Sequence, residues 1–320
     1  MSVLERKQKI VAIIGPTAVG KTKLGIEIAK HFNGEVISGD SMQIYRGMDI
    51  GTAKVTPGEM EGIPHHLIDI RNPDEVFSVA EFQSLVEEKI TDISLRGKLP
   101  IIVGGTGLYI QSVLYDYEFT ESPADPAFRE RLEKLAREEG NEAVHRELAL
   151  LDPRAAEHLH PNNVRRVIRA LEIIKSSGMP LEENRKHNQP GQKYDAAVIG
   201  LTMDREKLYD RINQRVDKMV SEGLIEEVQS LYNQGLRDCQ SIKAIGYKEI
   251  YDYLDGKTTL EESIEILKQN TRRYAKRQLT WFRNKMDVEW VNMTAETDFS
   301  KKVSEIFKVI EGKLQLKSNT

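Results

Sequence analysis

Apolar positions along this chain follow two periods, short unbroken runs and helical stripes, and the two alternate. Ile10 to Ile14 is an apolar run that stops at Gly15-Pro16, which predicts a first strand. Lys21 to Phe32 follows, with Leu24, Ile26, Ile28 and Ala29 apolar, and predicts a helix. Glu35-Val36-Ile37-Ser38 predicts a second strand ending at Gly39-Asp40. Val79, Phe82, Leu85, Val86, Ile90 and Ile93 are spaced as one face of a helix from Val79 to Leu95. Pro100-Ile101-Ile102-Val103 predicts a third strand, ending in Gly104-Gly105. Alternating strands and helices indicate an α/β protein with a parallel sheet and flanking helices. Ligands in such sheets sit beyond the C-terminal strand ends. The turn after Ile14, Asp40 and Thr106 are therefore expected on one rim, with the Asp40 strand beside the first strand.

The pattern changes after about Tyr115. Glu121-Ser122-Pro123-Ala124-Asp125-Pro126 is a cluster of breakers. From Ala127 to Ser176 the chain reads as successive helices without a strand signal, with starts expected at Asp152-Pro153 and His160-Pro161-Asn162. Asn188-Gln189-Pro190-Gly191 closes this stretch, and Ala196 to Leu201 returns to strand. Residues 1–115 and 190–320 are expected to form one core, with 116–189 an inserted all-helical lobe. Beyond Asp204 the chain is mostly helical; Thr259 to Lys285 predicts one long helix, and the polar end from Gln315 to Thr320 is expected to fray.

Composition narrows the class. The chain has 320 residues, 39% apolar and 30% charged, which suits a soluble globular protein. No apolar run approaches the roughly 20 residues that span a bilayer. The apolar stretch at Ile10 is too short for a secretory leader and runs into Gly15-Pro16, so a cytoplasmic protein is expected. Cys239 is the only cysteine, which excludes an internal disulfide and a cysteine-based zinc cluster. His65-His66 and His158-Leu159-His160 lack the spacing of a zinc-protease helix and read as structural. The net charge of −4 argues against a generic nucleic-acid coat.

Two constellations carry chemistry. Gly15-Pro16-Thr17-Ala18-Val19-Gly20-Lys21-Thr22 matches G-x-x-x-x-G-K-[ST] between a strand and a helix. Its glycines let backbone N–H groups converge on phosphate oxygens, and the helix start adds partial positive charge. Lys21 neutralises phosphate and the Thr22 hydroxyl is suited to Mg²⁺, so a nucleotide or another diphosphate is the expected ligand. P-loop ATPases usually carry an aspartate after an apolar strand. Here the third strand ends in glycines, and the carboxylate that follows a strand is Asp40. General base, outer partner of Mg²⁺ and helix N-cap are all open to it.

The second constellation is basic. Between Lys268 and Lys285 there are seven Lys or Arg residues and no acid; Arg272, Arg273, Lys276 and Arg277 share one helical face, and Tyr274, Trp281 and Phe282 are interleaved. Such a stripe suits a polyanion, with aromatics able to stack on bases. Arg165, Arg166 and Arg169 form a smaller basic cluster in the lobe.

The P-loop, the run from Ser38 to Lys54, Val103-Gly104-Gly105-Thr106-Gly107-Leu108-Tyr109, Arg166 to Glu172, Ser241 to Tyr247 and Ala275 to Arg283 together resemble the bacterial tRNA dimethylallyltransferase (tRNA isopentenyltransferase) family, in order along nearly the whole chain. Val19 stands where that family often has Ser, at a position that offers only its backbone N–H. The resemblance implies a P-loop NTPase-like fold and transfer of a dimethylallyl group from dimethylallyl diphosphate to the exocyclic amine of the adenosine 3′ of the anticodon. It implies that the P-loop and Mg²⁺ hold the diphosphate rather than ATP, with Arg215 joining Lys21, and that Asp40 takes the amine proton. It further implies that Asp40, Ser41, Met42, Gln43 and Thr106 meet the flipped base. Arg129, Arg165, Arg166, Val167, Ile168 and Arg169 would grip the anticodon stem-loop of a tRNA, the chain acting as a monomer without a membrane. Three other readings compete: a small-molecule kinase, which leaves the basic helix idle; an RNA-binding module that senses nucleotide, which gives Asp40 no task; and a prenyltransferase acting on free adenylate, which needs no RNA-gripping lobe.

Overall fold

The computed structural model describes residues 7–115, 117, 125–181, 183, 191–294 and 299–316. The chain divides into two compact units, Met1–Tyr115 with Gln192–Thr320, and Asp116–Gly191. The first unit begins with β1 (Lys9–Ile14), α1 (Lys21–His31), β2 (Gly34–Ser38), α2 (Pro57–Met60), β3 (His65–His66), α3 (Val79–Leu95), β4 (Leu99–Gly104) and α4 (Gly107–Leu114). The second unit holds α5 (Pro126–Glu139), α6 (Asn141–Leu151), α7 (Pro153–His158) and α8 (Val164–Ser177). The first unit resumes with β5 (Asp195–Thr202), α9 (Arg205–Ser221), α10 (Leu224–Asn233), α11 (Tyr247–Leu254), α12 (Leu260–Lys285), β6 (Glu289–Asn292) and α13 (Phe299–Leu314).

The six strands form one sheet in the order β3-β2-β4-β1-β5-β6, with every neighbouring pair parallel. A strand buried on both faces reads as an unbroken apolar run, and Ile10 to Ile14 is such a strand. Its alternate residues serve opposite cores: Ile10, Ala12 and Ile14 pack with Phe82, Val86 and Ile90 of α3, whereas Val11 and Ile13 pack with Leu24 and Ile28 of α1 and Ile306 of α13. The strand–loop–helix opening on a parallel sheet is that of the P-loop NTPase-like folds.

The strand order corrects one expectation. β2, which leads to Asp40, does not lie beside β1; β4 pairs with both and separates them. Asp40 nonetheless reaches the P-loop rim, because the β4 end is built of glycine. A Cβ at Gly104 would lie 2.3 Å from the Gly39 carbonyl oxygen, so the turns after β2 and β4 close over one another only with glycine there.

In the second unit, α5 to α8 enclose Leu132, Val144, Leu148, Val167, Ile168 and Leu171. Asp152 caps α7 by accepting the Ala155 N–H at 3.0 Å, with Pro153 at the first helical position as expected. The other proposed start is corrected: α8 begins at Val164, not at Pro161, and Pro161 sits in the preceding turn. The breakers at 121–124 and 188–190 and the tail at 317–320 lie outside the described residues.

Candidate active site

The P-loop leaves β1 at Gly15 and delivers the chain to α1 at Lys21. Gly20 precedes the helix at φ 105, a left-handed backbone that favours glycine, and it brings no side chain to cap the helix. The first-turn N–H groups of α1 are therefore available to an anion, on which the helix dipole also acts favourably. Lys21 Nζ donates to the Gly15 and Pro16 carbonyls at 3.0 and 2.7 Å, folded back over the loop. Burial, then the positive charge of Arg215, lower the Lys21 ammonium to about 7, and Asp40 opposes them. Arg215, on α9, donates to the Thr17 hydroxyl at 3.4 Å. Burial lowers its pKa too, and Asp40 is the first of the charges that counter this. Thr22 is exposed at the start of α1, and its hydroxyl has no hydrogen bond among the described residues. Val19 is buried in the core beneath the loop, so its side chain takes no part in the site.

Asp40 does not cap a helix, because no helix follows it. One carboxylate oxygen accepts the Met42 N–H at 2.8 Å, which fixes the turn. The Thr106 hydroxyl accepts the Ser41 N–H at 3.2 Å and ties this turn to the end of β4. Gln43 receives the Ser38 hydroxyl at 3.0 Å and donates its amide to the carbonyls of Thr52 and Ala53, each at 3.3 Å. Lys21, Thr22, Asp40, Gln43, Gly105 and Arg215 line a single cavity of about 620 Å³, with the apolar side chains of Ile26, Val36, Val55, Ile68 and Val103 on its walls. Ser41, Met42 and Thr106 adjoin it through the hydrogen-bonded turn rather than lining it. Arg211 and Lys218, one helical turn to either side of the Arg215 position on α9, also line the cavity.

The basic helix α12 has two unlike faces. Arg273, Lys276 and Arg277 are exposed, whereas Arg272 is half-buried and donates to Asn213 Oδ1 at 2.6 Å. Lys268 is held by Asp217 and Glu265 at 2.8 and 3.1 Å. The buried face carries Ala275, Gln278 and Phe282. Gln278 was not singled out in the sequence, yet its carboxamide accepts the Thr17 N–H at 3.0 Å and donates to the Gly105 carbonyl at 3.0 Å, joining the P-loop to the turn after β4. Trp281 lies against Gly107, where a Cβ would come within 2.3 Å of the indole.

The lobe residues divide similarly. Arg165 and Arg166 are exposed, whereas the side chains of Val167 and Ile168 turn into the lobe core. Arg129 and Arg169 both bind the buried carboxylate of Glu172, Arg169 at 3.3 Å, so both are anchored rather than free. Arg129, Arg169 and the lobe core belong to the second unit, the cavity to the first.

The family model for IPP transferase matches residues 43–285. The tRNA dimethylallyltransferase of Geobacillus thermodenitrificans is 63% identical over 312 residues, covering 98% of this chain and 99% of that protein. That of Bacillus anthracis is also 63% identical, over 314 residues, covering 98% and 99%. Among solved structures, the full-length tRNA isopentenylpyrophosphate transferase of Bacillus halodurans matches with 58% identity, TM-score 0.75 and 97% of each chain covered. A eukaryotic dimethylallyltransferase acting on tRNA matches with 32% identity and TM-score 0.84, over 98% of this chain and 81% of that one.

Proposed function

This chain belongs to the IPP transferase family and is a prenyltransferase of the tRNA dimethylallyltransferase kind, and on that premise we propose that it transfers a dimethylallyl group from dimethylallyl diphosphate to N6 of adenosine-37, the nucleotide 3′ of a tRNA anticodon. The observation that carries this reading is the single cavity shared by Lys21, Thr22, Arg215 and Asp40. A P-loop that held ATP for a kinase would leave the exposed Arg273, Lys276 and Arg277 without a task.

In this reading the diphosphate rests on the P-loop N–H groups and the start of α1, and Lys21 exchanges its loop carbonyls for phosphate oxygens. Arg215 approaches from α9. The C1–O bond of the donor breaks and diphosphate leaves with the electron pair while the N6–C1 bond forms. Asp40 accepts the N6 proton, which an amine delocalised into the adenine ring surrenders only as the new bond forms. The half-buried cations and loop donors stabilise charge on the departing oxygen. The Thr22 hydroxyl is a free hard-oxygen ligand of the type Mg²⁺ takes. No group of three or more His, Cys, Asp or Glu converges among the described residues, so diphosphate and water would complete its shell. When bound, Mg²⁺ supplies further charge to the leaving group.

The acceptor base is flipped from the anticodon loop into the cavity, past Ser41, Met42, Gln43 and Thr106. Arg273, Lys276 and Arg277 on the exposed face of α12, and Arg165 and Arg166 on the lobe, meet the phosphate backbone. Arg129 and Arg169 shape that lobe surface through Glu172. The enzyme acts in the cytoplasm as a monomer; no helix among the described residues is long and apolar enough to cross a membrane. Incubation with labelled dimethylallyl diphosphate and, separately, bulk tRNA, AMP or ATP tests the proposal. Label in tRNA at N6 of adenosine-37 is the expected result; label in AMP alone, or phosphate transfer from ATP, would replace it.

A further inference from the structure

Asp40 and Gln43 sit at one end of a segment whose other end, Thr52 and Ala53, lines the same cavity. The middle of that segment is held from outside the site. Glu227, on α10, accepts the N–H groups of Asp49 and Ile50 on one carboxylate oxygen, at 2.9 and 2.7 Å. Its other oxygen accepts the Gly51 N–H at 3.0 Å and the Tyr247 hydroxyl at 2.6 Å. Burial first, and then the neighbouring Glu227 charge, raise the Tyr247 pKa, so the phenol remains a donor. Gly51 has no room for a side chain, since a Cβ would lie 2.6 Å from the Tyr247 ring. Four donors thus converge on one carboxylate, enough to saturate an acceptor-only group.

From there a continuous set of bonds leads into the cavity. The turn closes through Ala53 N–H to Ile50 O and Lys54 N–H to Asp49 O, both at 2.9 Å. Lys54 Nζ ties it to the Tyr45 carbonyl at 2.8 Å and to Asp69 at 2.6 Å. The Thr52 and Ala53 carbonyls then hold the Gln43 amide, and Gln43 holds Ser38, two residues before Asp40. We propose that Glu227 is a positioning residue for the prenyl transfer, fixing through the 49–54 turn the segment that carries Asp40 and Gln43. This inference rests on the assignment of Asp40 as the base. Charge alone does not explain the arrangement, because three of the four donors are backbone N–H groups of consecutive residues, which a carboxylate orders as a unit.

Glu227→Gln keeps the shape but turns one acceptor into a donor. One oxygen's worth of N–H groups then faces an NH₂, and the turn must shift. A displacement of about 1 Å is enough to slow a reaction by about 10²-fold. The test compares Glu227→Gln, Tyr247→Phe, Asp40→Asn and the Asp40→Asn/Glu227→Gln double variant. Single-turnover rates at saturating tRNA and donor are normalised to sites that bind dimethylallyl diphosphate. Glu227→Gln is expected to slow transfer about 10–10²-fold, with donor affinity within about threefold of wild type because the P-loop is not involved. Tyr247→Phe, which leaves the carboxylate and its N–H donors in place, should show a smaller loss in the same direction. The double variant should be no slower than Asp40→Asn alone. Amide exchange should show protection at Asp49, Ile50 and Gly51 in the wild type, a readout that holds even if Glu227→Gln fails to fold. A wild-type rate in Glu227→Gln beside a slow Asp40→Asn overturns the inference and spares the base; fully multiplicative losses, or unprotected amides at 49–51, also overturn it. A wild-type rate in Asp40→Asn removes the base assignment, and the inference with it.

Discussion

Gln278 makes a quantitative test of how the basic helix supports the P-loop. Its side chain is 5% exposed and bridges the loops that leave the paired strands β1 and β4, through the Thr17 N–H and the Gly105 carbonyl, at 3.0 Å each. Gln278→Leu has nearly the same volume and keeps the helix, so it removes those two bonds together with the polar contact Gln278 makes with Tyr274. An unsatisfied buried backbone group costs about 1–3 kcal/mol. The Gly105 carbonyl meets Gln278 in fully buried surroundings and should bear the full penalty, whereas the Thr17 bond is only part-buried and should bear less. The combined loss is about 2–4 kcal/mol of unfolding free energy, read from denaturant titration with an unchanged slope. Thr17 also receives Arg215, so the loop should loosen and the affinity for dimethylallyl diphosphate should fall with the stability. Gln278→Glu separates the two ends: a carboxylate still accepts from Thr17 but repels the Gly105 carbonyl and the incoming diphosphate, so its affinity loss should exceed that of Leu. A stability change under about 0.5 kcal/mol in the Leu variant, of the size usual for a neutral surface site, with unaltered donor affinity, would refute the bridging role.

Asp40→Asn should bind tRNA and donor nearly as wild type and slow single-turnover transfer by about 10²–10⁴-fold; weaker donor binding restored by high Mg²⁺ would instead point to a role beside the metal. Lys21 is lowered to about 7, so in the free protein it sheds its proton as pH rises through that value, and the unfolded chain binds more protons from there to about 10.4. Its contribution should therefore make the protein more stable as pH rises across that window, while donor affinity, which needs the ammonium, falls toward tenfold per pH unit above about 8; Lys21→Met should abolish both slopes, and calorimetry in buffers of different ionisation enthalpy should show proton uptake on binding. Glu35 is buried and receives Arg96, Lys98 and His66; the Arg96 guanidinium, followed by Lys98 and His66, holds its carboxyl well below the usual range. The stability it contributes is complete above about pH 4.3 and is lost progressively as pH falls from there to the depressed value, so Glu35→Gln should lose about 3 kcal/mol at neutral pH and show a flatter acid limb. Reversing Arg273 and Arg277 should weaken tRNA binding and reduce its salt slope by about 0.7–0.9 for each phosphate that is no longer neutralised; an unchanged slope means the exposed face is only solvated.

The parts of the fold that could be read from the chain are those where local pattern and burial coincide. β1, β4 and β5 are largely apolar runs because helices cover both sheet faces, β2 shows only the pair Val36-Ile37, and α3 and α12 carry helical periods with a cap at the start, Ser78 and Thr259. β3 has two residues and β6 four, and as edge strands they are only half-buried, so neither has a run long enough to show a period. Strand order is a different kind of information. Alternation of strands and helices fixes neither which strand neighbours which nor that β4 inserts between β1 and β2, since that choice is made by pairings distant in sequence. Pro161 misled for a local reason: proline suits a first helical position, but it suits a turn equally, and here the turn takes it.

Within the site, legibility follows whether a residue acts by its type or by its surroundings. Lys21 and Thr22 belong to a motif whose spacing encodes its own strand–loop–helix geometry, and Asp40 is a carboxylate at a strand end, where a parallel sheet puts ligands. Gln278 lies amid Lys276, Arg277 and Arg283, in a stretch that looks like a uniform cationic surface. Only the helix rotation separates it from them: counted at about 100° per residue, it falls beside Ala275 and Phe282, the buried side, rather than beside Arg273 and Arg277. The same count explains Val167 and Ile168, which share a run with Arg165 and Arg166 but face the lobe core. Glu227 offers no such clue, because three of its four partners are backbone N–H groups nearly 180 residues away, and backbone donors leave no mark in a side-chain pattern. Groups proposed to meet phosphate or base are therefore the ones a sequence displays, whereas groups that hold their segments in place are displayed only by the fold.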